Sequence, residues 1–291
     1  MKLVCIPAHN EESHIENLVK LAKNYVDSVI VCDDCSTDDT ANIAKKAGAV
    51  VISHKKTQGY GASIISLFDY ARKNNAEIMI TMDGDGQHNP DEIPLFLDTL
   101  TRHKVDVVIG SRFLNQKTEV PGYRKKGIKI ITSAANLGAD LKVSDSQSGF
   151  RAYSKNAIDV IRLTEEGMSV STEILLKISN NGLSLSEVPI TISYEGDTSE
   201  HNPISHGTSV LANTLKYIST KRPLVFYGVT GIAFFLAGLI AGVIFLDAYL
   251  TTRTIFFGSL LAAVVLFLLG AILCVTAVIL FSMANLFRDR Y

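Results

Sequence analysis

The segment Glu77-Ile-Met-Ile-Thr-Met-Asp83-Gly-Asp85-Gly-Gln87-His88 decides how the chain is read. A short apolar run bounded by turn residues fits a strand buried on both faces. Two carboxylates, two positions apart, follow at its end. From there both can reach a hard divalent cation or a ribose hydroxyl, and Gly84 and Gly86 let the backbone turn tightly beside a ligand. Mg²⁺ or Mn²⁺ keeps coordination positions open for phosphate oxygens, which suits an Asp-x-Asp site on a nucleotide diphosphate. Calcium in an EF-hand competes poorly, because Gln87-His-Asn-Pro90 breaks that loop's ligand order. A structural turn with solvated acids is the plain alternative.

Working outward, similar Val- and Ile-rich runs occur at Lys2–Ile6, Ser28–Cys32, Ala49–Ser53 and Val105–Gly110, with the central one at Glu77–Met82. Helix-period stretches separate them: Ser13–Tyr25, Asp38–Ala47, Gly61–Asn74 and Pro90–His103. Alternation of this kind predicts an α/β fold with a mostly parallel sheet flanked by helices. Ligands then bind beyond the carboxyl ends of the strands. The unusual polar residues fall there, at Pro7–Glu11, Asp33–Asp39, Asp83–His88 and Ser111–Phe113. Past Phe113 the pattern loosens. Lys117–Lys129 is basic, and Pro121-Gly122 within it suggests a turn or mobile loop. Helices are expected at Lys155–Arg162 and Ser171–Asn181, a strand at Leu185–Tyr194 and a loop at Glu195–His206.

The 291 residues carry 28 Lys and Arg against 29 Asp and Glu, yet residues 223–291 hold only five of these charges. Leu224 to Leu246 and Thr254 to Phe287 contain none. Each is long enough to cross a bilayer, so a two-helix hairpin with spans at about 224–246 and 254–283 is expected. Lys216, Lys221 and Arg222 precede the hairpin and Arg288 and Arg290 follow it, while the Asp247–Arg253 linker has one charge of each sign. The basic bias places both termini and the N-terminal domain on the cytoplasmic face. Leu3–Ile6 is too short for the apolar region of a signal peptide. Val210, Leu211, Thr214, Leu215 and Ile218 recur at helical spacing, predicting an amphipathic helix over 206–222 that lies on lipid headgroups or packs on the domain. The expected organisation is residues 1–205, 206–222 and 223–291.

Balanced charge argues against a nucleic-acid binder driven by counterion release. In a reducing compartment Cys5, Cys32, Cys35 and Cys274 are free thiols. Cys32-x-x-Cys35 lacks the second pair a zinc site needs. Gly59-Tyr-Gly61 opens a helix, but Ile64 and the wrong strand exclude a dinucleotide fingerprint. Asp33-Asp34 with Ser36-Thr-Asp38 is ambiguous: Thr37 or Asp38 can cap a helix, and Asp34 can reach a base or ribose.

Taken together, Pro7-Ala-His-Asn10-Glu11, Cys32-Asp-Asp34-Cys-Ser36-Thr-Asp38, Gly59-Tyr-Gly61-Ala, Asp83-Gly-Asp85-Gly-Gln87, Gly110-Ser-Arg112-Phe and Ser148-Gly-Phe-Arg151-Ala-Tyr resemble family 2 glycosyltransferases of the GT-A fold. Within them the chain is similar to the polyprenyl-phosphate, or dolichol-phosphate, sugar transferases such as the mannosyltransferases. The resemblance covers nearly all of residues 1–220. It implies that Pro7, Asn10, Glu11 and Asp34, with Gly59 and Gly61, hold a GDP- or UDP-linked sugar, and that Asp83 meets the ribose side. Asp83, Asp85 and Gln87 would bind Mg²⁺ or Mn²⁺ on the diphosphate. Ser111, Arg112 and Arg124 would meet the lipid phosphate, and Asp145, Gln147 and Ser148 would belong to the acceptor loop. Asp85, Asp145, Arg112 and Arg124 form the implied catalytic set. The chain departs from many relatives at Tyr194–Gly207, where an Arg-rich stretch is replaced by one without Arg or Lys; His206, or His201, would be the substitute donor, and an ordinary loop histidine is the alternative for either.

The implied reaction is an inverting, metal-dependent transfer to the phosphate of a membrane polyprenol, and the hairpin holds the site at the depth of that phosphate. The oligomeric state is left open, a homo-oligomer included. The alternatives are a processive membrane polysaccharide synthase and a non-catalytic membrane scaffold. Two spans and no Trp count against the first, and intact Asp83 and Asp85 against the second.

Overall fold

The computed structural model describes residues 1–114, 122–192, 219 and 223–288, with the backbone alone at 123, 124 and 284–288. The chain divides into two units, Met1–Thr214 and Leu215–Tyr291.

The first unit is built on one mixed sheet. Its strands are β1 (Lys2–Ala8), β2 (Ser28–Asp33), β3 (Val50–Ser53), β4 (Ile78–Thr81), β5 (Val107–Ser111), β6 (Arg151–Ser154) and β7 (Leu185–Pro189), in the order β3-β2-β1-β4-β6-β5-β7. All neighbours run parallel except β6, which is antiparallel to both β4 and β5. Strands β1 to β5 lie within a few residues of the sequence expectation. Four consecutive residues of β1, Leu3 to Ile6, are inaccessible to solvent. Both faces of the sheet are therefore covered, as an unbroken apolar strand requires. Helices α1 (Ile15–Ala22), α2 (Thr40–Lys46), α3 (Tyr60–Lys73) and α4 (Ile93–Arg102, after a 3₁₀ turn at Pro90–Glu92) make the crossovers.

Two expectations are corrected. Gly122–Ala139 forms a continuous helix, α5, where Pro121-Gly122 suggested a turn or mobile loop. Gly122 therefore belongs to α5, while Pro121 lies outside the described residues. Arg151–Ser154, where the sequence pattern predicts no strand, forms β6, inserted between β4 and β5. Helices α6 (Lys155–Val160) and α7 (Val170–Asn180) follow it.

Core packing continues above β6. Phe96 of α4 stacks on Phe150 at 4.2 Å, and His88 closes the aromatic row 5.2 Å beyond Phe150. Burying each such Phe contributes about 1.5–3 kcal/mol.

The second unit contains two long apolar helices. The first spans Leu224–Thr252, opening with a π-helical turn at Leu224–Gly228, and the second runs Phe257–Arg288. The expected linker at Asp247–Arg253 is shorter than read. Thr251 and Thr252 hydroxyls donate to the Asp247 and Ala248 carbonyls, and the helix continues to a left-handed Arg253 at φ 56°. Both helices expose most of their apolar side chains and are long and apolar enough to cross a membrane. Gly231, Gly238 and Gly270 sit where the helices touch: a Cβ on any of them would run into backbone of the opposite helix. The amphipathic helix expected over 206–222, with the flanking Lys216, Lys221 and Arg222, lies outside the described residues except for Ser219, and Arg290 lies outside them too.

Candidate active site

Strand order reverses direction between β1 and β4, the place where an open α/β sheet forms its ligand crevice. The β1 end carries Pro7–Glu11 and the β4 end carries Asp83–Gln87. They meet through glycine: a Cβ at Gly84 would lie 3.0 Å from the Pro7 carbonyl and 3.4 Å from Glu11 Cγ. Gly86 takes φ 75° against the His14 ring, so no other residue fits this turn without strain.

Four carboxylates share this crevice. Burial, then the charges of Asp85, Asp38 and Asp83, push Glu11 up to about 7. Burial and the neighbouring Asp83 likewise raise Asp85, whose Oδ1 accepts from the Gln87 N–H at 3.0 Å. Asp83 differs from both. Burial opposes its charge, but Nε2 of His88 at 3.2 Å from Oδ2, the Tyr60 hydroxyl at 2.9 Å from Oδ1 and the charge of Arg112 together hold it below the usual carboxylate range. Gly149 lies against the same carboxylate, where a Cβ would collide with both oxygens. Asp83 is thus fixed, whereas Asp85 keeps oxygen lone pairs for a ligand.

The donor set suits a hard cation. Among the described residues no three His, Cys, Asp or Glu side chains converge on one point. The protein would therefore supply one or two carboxylate oxygens, with phosphate and water completing the shell, as Mg²⁺ commonly binds. Of the two expected carboxylate ligands, Asp83 is already bonded to Tyr60 and His88, and Asp85 only to the Gln87 N–H among the described residues. At Gln87 it is the backbone N–H that meets Asp85.

On the β2 side, Asn10 stands at φ 57° and accepts from the Thr37 N–H at 2.8 Å, and its own N–H donates to Ser36 at 2.9 Å. Asp34 is nearly inaccessible and lies 2.6 Å from Nδ1 of His54. It also accepts from the Gln58 and Gly59 N–H groups at 2.9 and 2.7 Å. Burial works against its charge, yet these donors keep the carboxyl below its ordinary range. Most of its capacity is spent on fixing the Gln58-Gly59 turn ahead of α3. Gly59 and Gly61 also accommodate protein: the carbonyls of Glu165, Glu166 and Gly167 press on them, and Ala62 N–H donates to the Glu166 carbonyl at 3.0 Å. Buried Glu173 fixes that loop by accepting from the Thr164 and Glu165 N–H groups. Cys32 sits beneath, its thiol pushed up to about 11 chiefly by burial and so poorly suited to metal or redox chemistry.

On the β5 side, Arg112 grips Asp145 through Nε to Oδ2 at 2.6 Å and Nη2 to Oδ1 at 2.7 Å. Ser111 is fully buried and bonded to Ser144 at 2.6 Å, and Glu187 accepts from the Ser144 N–H at 2.9 Å. Ser148 is buried, with its Oγ unpartnered among the described residues. Ser111, Asp145 and Ser148, expected beside an acceptor, are all buried behind the surface. Gln147 is half-buried, its N–H on Asp145 at 3.2 Å. The backbone of Arg124 lies in the first turn of α5, its side chain outside the described residues, as are His201 and His206. Arg151 is structural, capping the Ser148, Ser146 and Ser171 carbonyls from within the core.

Tyr60, His54, His88, Glu173 and Glu187 were not singled out from sequence. Signals existed for the first three: Tyr60 lies between two glycines, His54 directly follows β3, and His88 ends the acidic motif.

A parallel α/β half with an acidic Asp-x-Asp turn at the switch point, joined to an antiparallel β6, defines a nucleotide-sugar transferase of the GT-A class. The chain belongs to glycosyl transferase family 2, whose family model matches residues 3–162, and it is a glycosyltransferase. It is 32% identical to the UDP-N-acetylglucosamine–dolichyl-phosphate N-acetylglucosaminyltransferase of Methanococcus voltae, over 71% of this chain and 89% of the relative. Polyprenol monophosphomannose synthase of Mycolicibacterium smegmatis is 28% identical over 66% and 77%. Among solved structures, glucosyl-3-phosphoglycerate synthase of Mycobacterium tuberculosis in complex with Mn²⁺, UDP and glucosyl-3-phosphoglycerate superposes with a TM-score of 0.59 at 23% identity, over 75% and 79% of the chains. That likeness bears on the fold.

Proposed function

We propose that the chain transfers a sugar from a UDP- or GDP-linked donor to the phosphate of a membrane polyprenol, dolichyl phosphate or a related polyprenyl phosphate, with inversion at the anomeric carbon. The observation that carries the donor half is the crevice of Glu11, Asp83 and Asp85, where burial first and then mutual repulsion raise Glu11 and Asp85. Uncompensated carboxylates of this kind favour a divalent cation and the diphosphate it brings. The acceptor half is supported by the names of the relatives and by two helices able to span a bilayer.

Asp85 would hold Mg²⁺ or Mn²⁺, which supplies Lewis-acid neutralisation of the departing diphosphate. Asp83, fixed by Tyr60 and His88, orients the ribose side. The acceptor phosphate is anionic at neutral pH and needs positioning more than deprotonation. Arg112, held by Asp145, and Arg124, on α5, suit that task because guanidinium groups match phosphate geometry. His206 is assigned to the same phosphate. The basic flanks support a cytoplasmic catalytic domain with both termini on that side.

The test is to incubate membranes containing the protein with labelled UDP- and GDP-sugars and extract with organic solvent. Label in a polyprenyl-phosphate fraction is the expected result. Label in insoluble polymer would indicate a processive synthase, and no product with any donor a scaffold.

A further inference from the structure

His88 is the last residue of an aromatic row, Phe96–Phe150–His88, and only 4% exposed. An apolar ring would pack there at lower cost, because Nδ1 of His88 is buried without a hydrogen-bond partner among the described residues. What the imidazole supplies instead is Nε2, 3.2 Å from Asp83 Oδ2. An ionised carboxylate only accepts, so Nε2 carries the proton. The ring cannot turn away easily. Phe150 covers one side, and the His88 backbone pairs with Ile192 as an isolated antiparallel bridge.

One turn further on, Glu92 accepts from the Thr191 N–H at 2.9 Å through Oε1, while its Oε2 is buried and unpartnered among the described residues. Two buried polar atoms, His88 Nδ1 and Glu92 Oε2, are therefore left that stability does not explain. Both are tied to the chain just after β7.

We propose that His88 is a positioning residue for Asp83, and that Glu92 and the Thr191–Ile192 segment hold His88 in that role. Tyr60 fixes one Asp83 oxygen and His88 the other, so the carboxylate meets its ligand in one orientation. The inference rests on the donor reading of Asp83. Removing a supporting partner of this kind typically weakens a metal or ligand site about 10- to 100-fold.

The experiment measures binding of UDP and GDP with Mn²⁺ by calorimetry on the full chain in detergent, alongside thermal melting. The variants are Asp83→Asn, His88→Phe and His88→Gln. The inference expects His88→Phe to melt at or above the wild-type temperature yet bind the preferred nucleotide at least about tenfold more weakly, approaching Asp83→Asn. His88→Gln, whose Nε2 can still donate to Asp83, should recover much of that loss. Nucleotide binding by His88→Phe within twofold of wild type would overturn the proposal, as would a Gln variant no better than Phe. Failure of the polyprenyl-phosphate reading looks different: the wild type would bind nucleotide normally and give no lipid-linked product.

Discussion

The Arg112 guanidinium and the Asp145 carboxylate lock each other at two points, 2.6 and 2.7 Å, with Asp145 wholly buried and the Arg112 side chain 13% exposed. The cation is therefore aimed rather than free. Deleting Asp145 strands a charge in a low-dielectric setting, which costs about 3–5 kcal/mol. Asp145→Ala should lower the melting temperature by several degrees and weaken use of the lipid acceptor. Arg112→Lys keeps the charge but loses the fork, and it should fail to restore acceptor use. Varying acceptor concentration at saturating donor separates the two; an effect confined to donor KM would contradict the assignment.

Asp85 offers a cleaner test of the donor site, because among the described residues its carboxylate is bonded only locally, to the Gln87 N–H. Asp85→Ala should abolish transfer, leave the melting temperature within a few degrees of wild type and remove the response to added Mn²⁺. Activity that stays full in this variant would remove the cation from Asp85.

Two buried glycines should respond oppositely to one added methyl. At Gly149 a Cβ meets the Asp83 carboxylate, and at Gly61 it meets the carbonyls of Glu165 and Gly167. Gly149→Ala should therefore reduce transfer by about 100-fold through misplacement of Asp83. Gly61→Ala must move main chain and should cost about 1–3 kcal/mol in stability. Melting curves and initial rates on both variants check the contrast.

Much of this site was legible in sequence because strand ends are short-range features. Asp83-Gly-Asp85 follows β4 wherever β4 lies, and the parallel half of the sheet follows from strand–helix alternation. The supporting contacts were not legible, since they join distant segments. Nothing local pairs Arg112 with Asp145, sets Gly61 under the Glu165–Gly167 carbonyls or places His88 on Phe150. Strand β6 escaped for a related reason: a four-residue strand inserted between β4 and β5 is specified by its neighbours, not by its own pattern. Asp34, expected on the nucleotide, also bonds His54 and the Gln58-Gly59 turn, contacts that no local pattern signals.

The pH response follows from Glu11. Its folded value of about 7 lies above the ordinary 4.5. The folded protein therefore favours the protonated form, and the associated stability is complete below about pH 4.5 and lost as pH rises through about 7. With chelator present, the melting temperature should fall over that interval, and Glu11→Gln should flatten the fall. Mn²⁺ should do the same in the wild type by compensating the charge. A profile identical in Glu11→Gln and wild type would place the titration elsewhere.

The hairpin makes a prediction independent of the chemistry. Helices in lipid gain little from the hydrophobic effect between themselves, so close approach at small residues carries their association. A Cβ on Gly238 would strike the backbone of Phe267, whereas one on Gly242, a turn along the same helix, meets nothing within 4 Å. Gly238→Val should therefore force the helices apart, costing about 1–3 kcal/mol, and increase protease cleavage near Arg253 in detergent. Gly242→Val, with the same loss of backbone freedom and the same added bulk, should behave as wild type. Equal sensitivity of the two variants would show that helix propensity, and not interhelical contact, governs the hairpin.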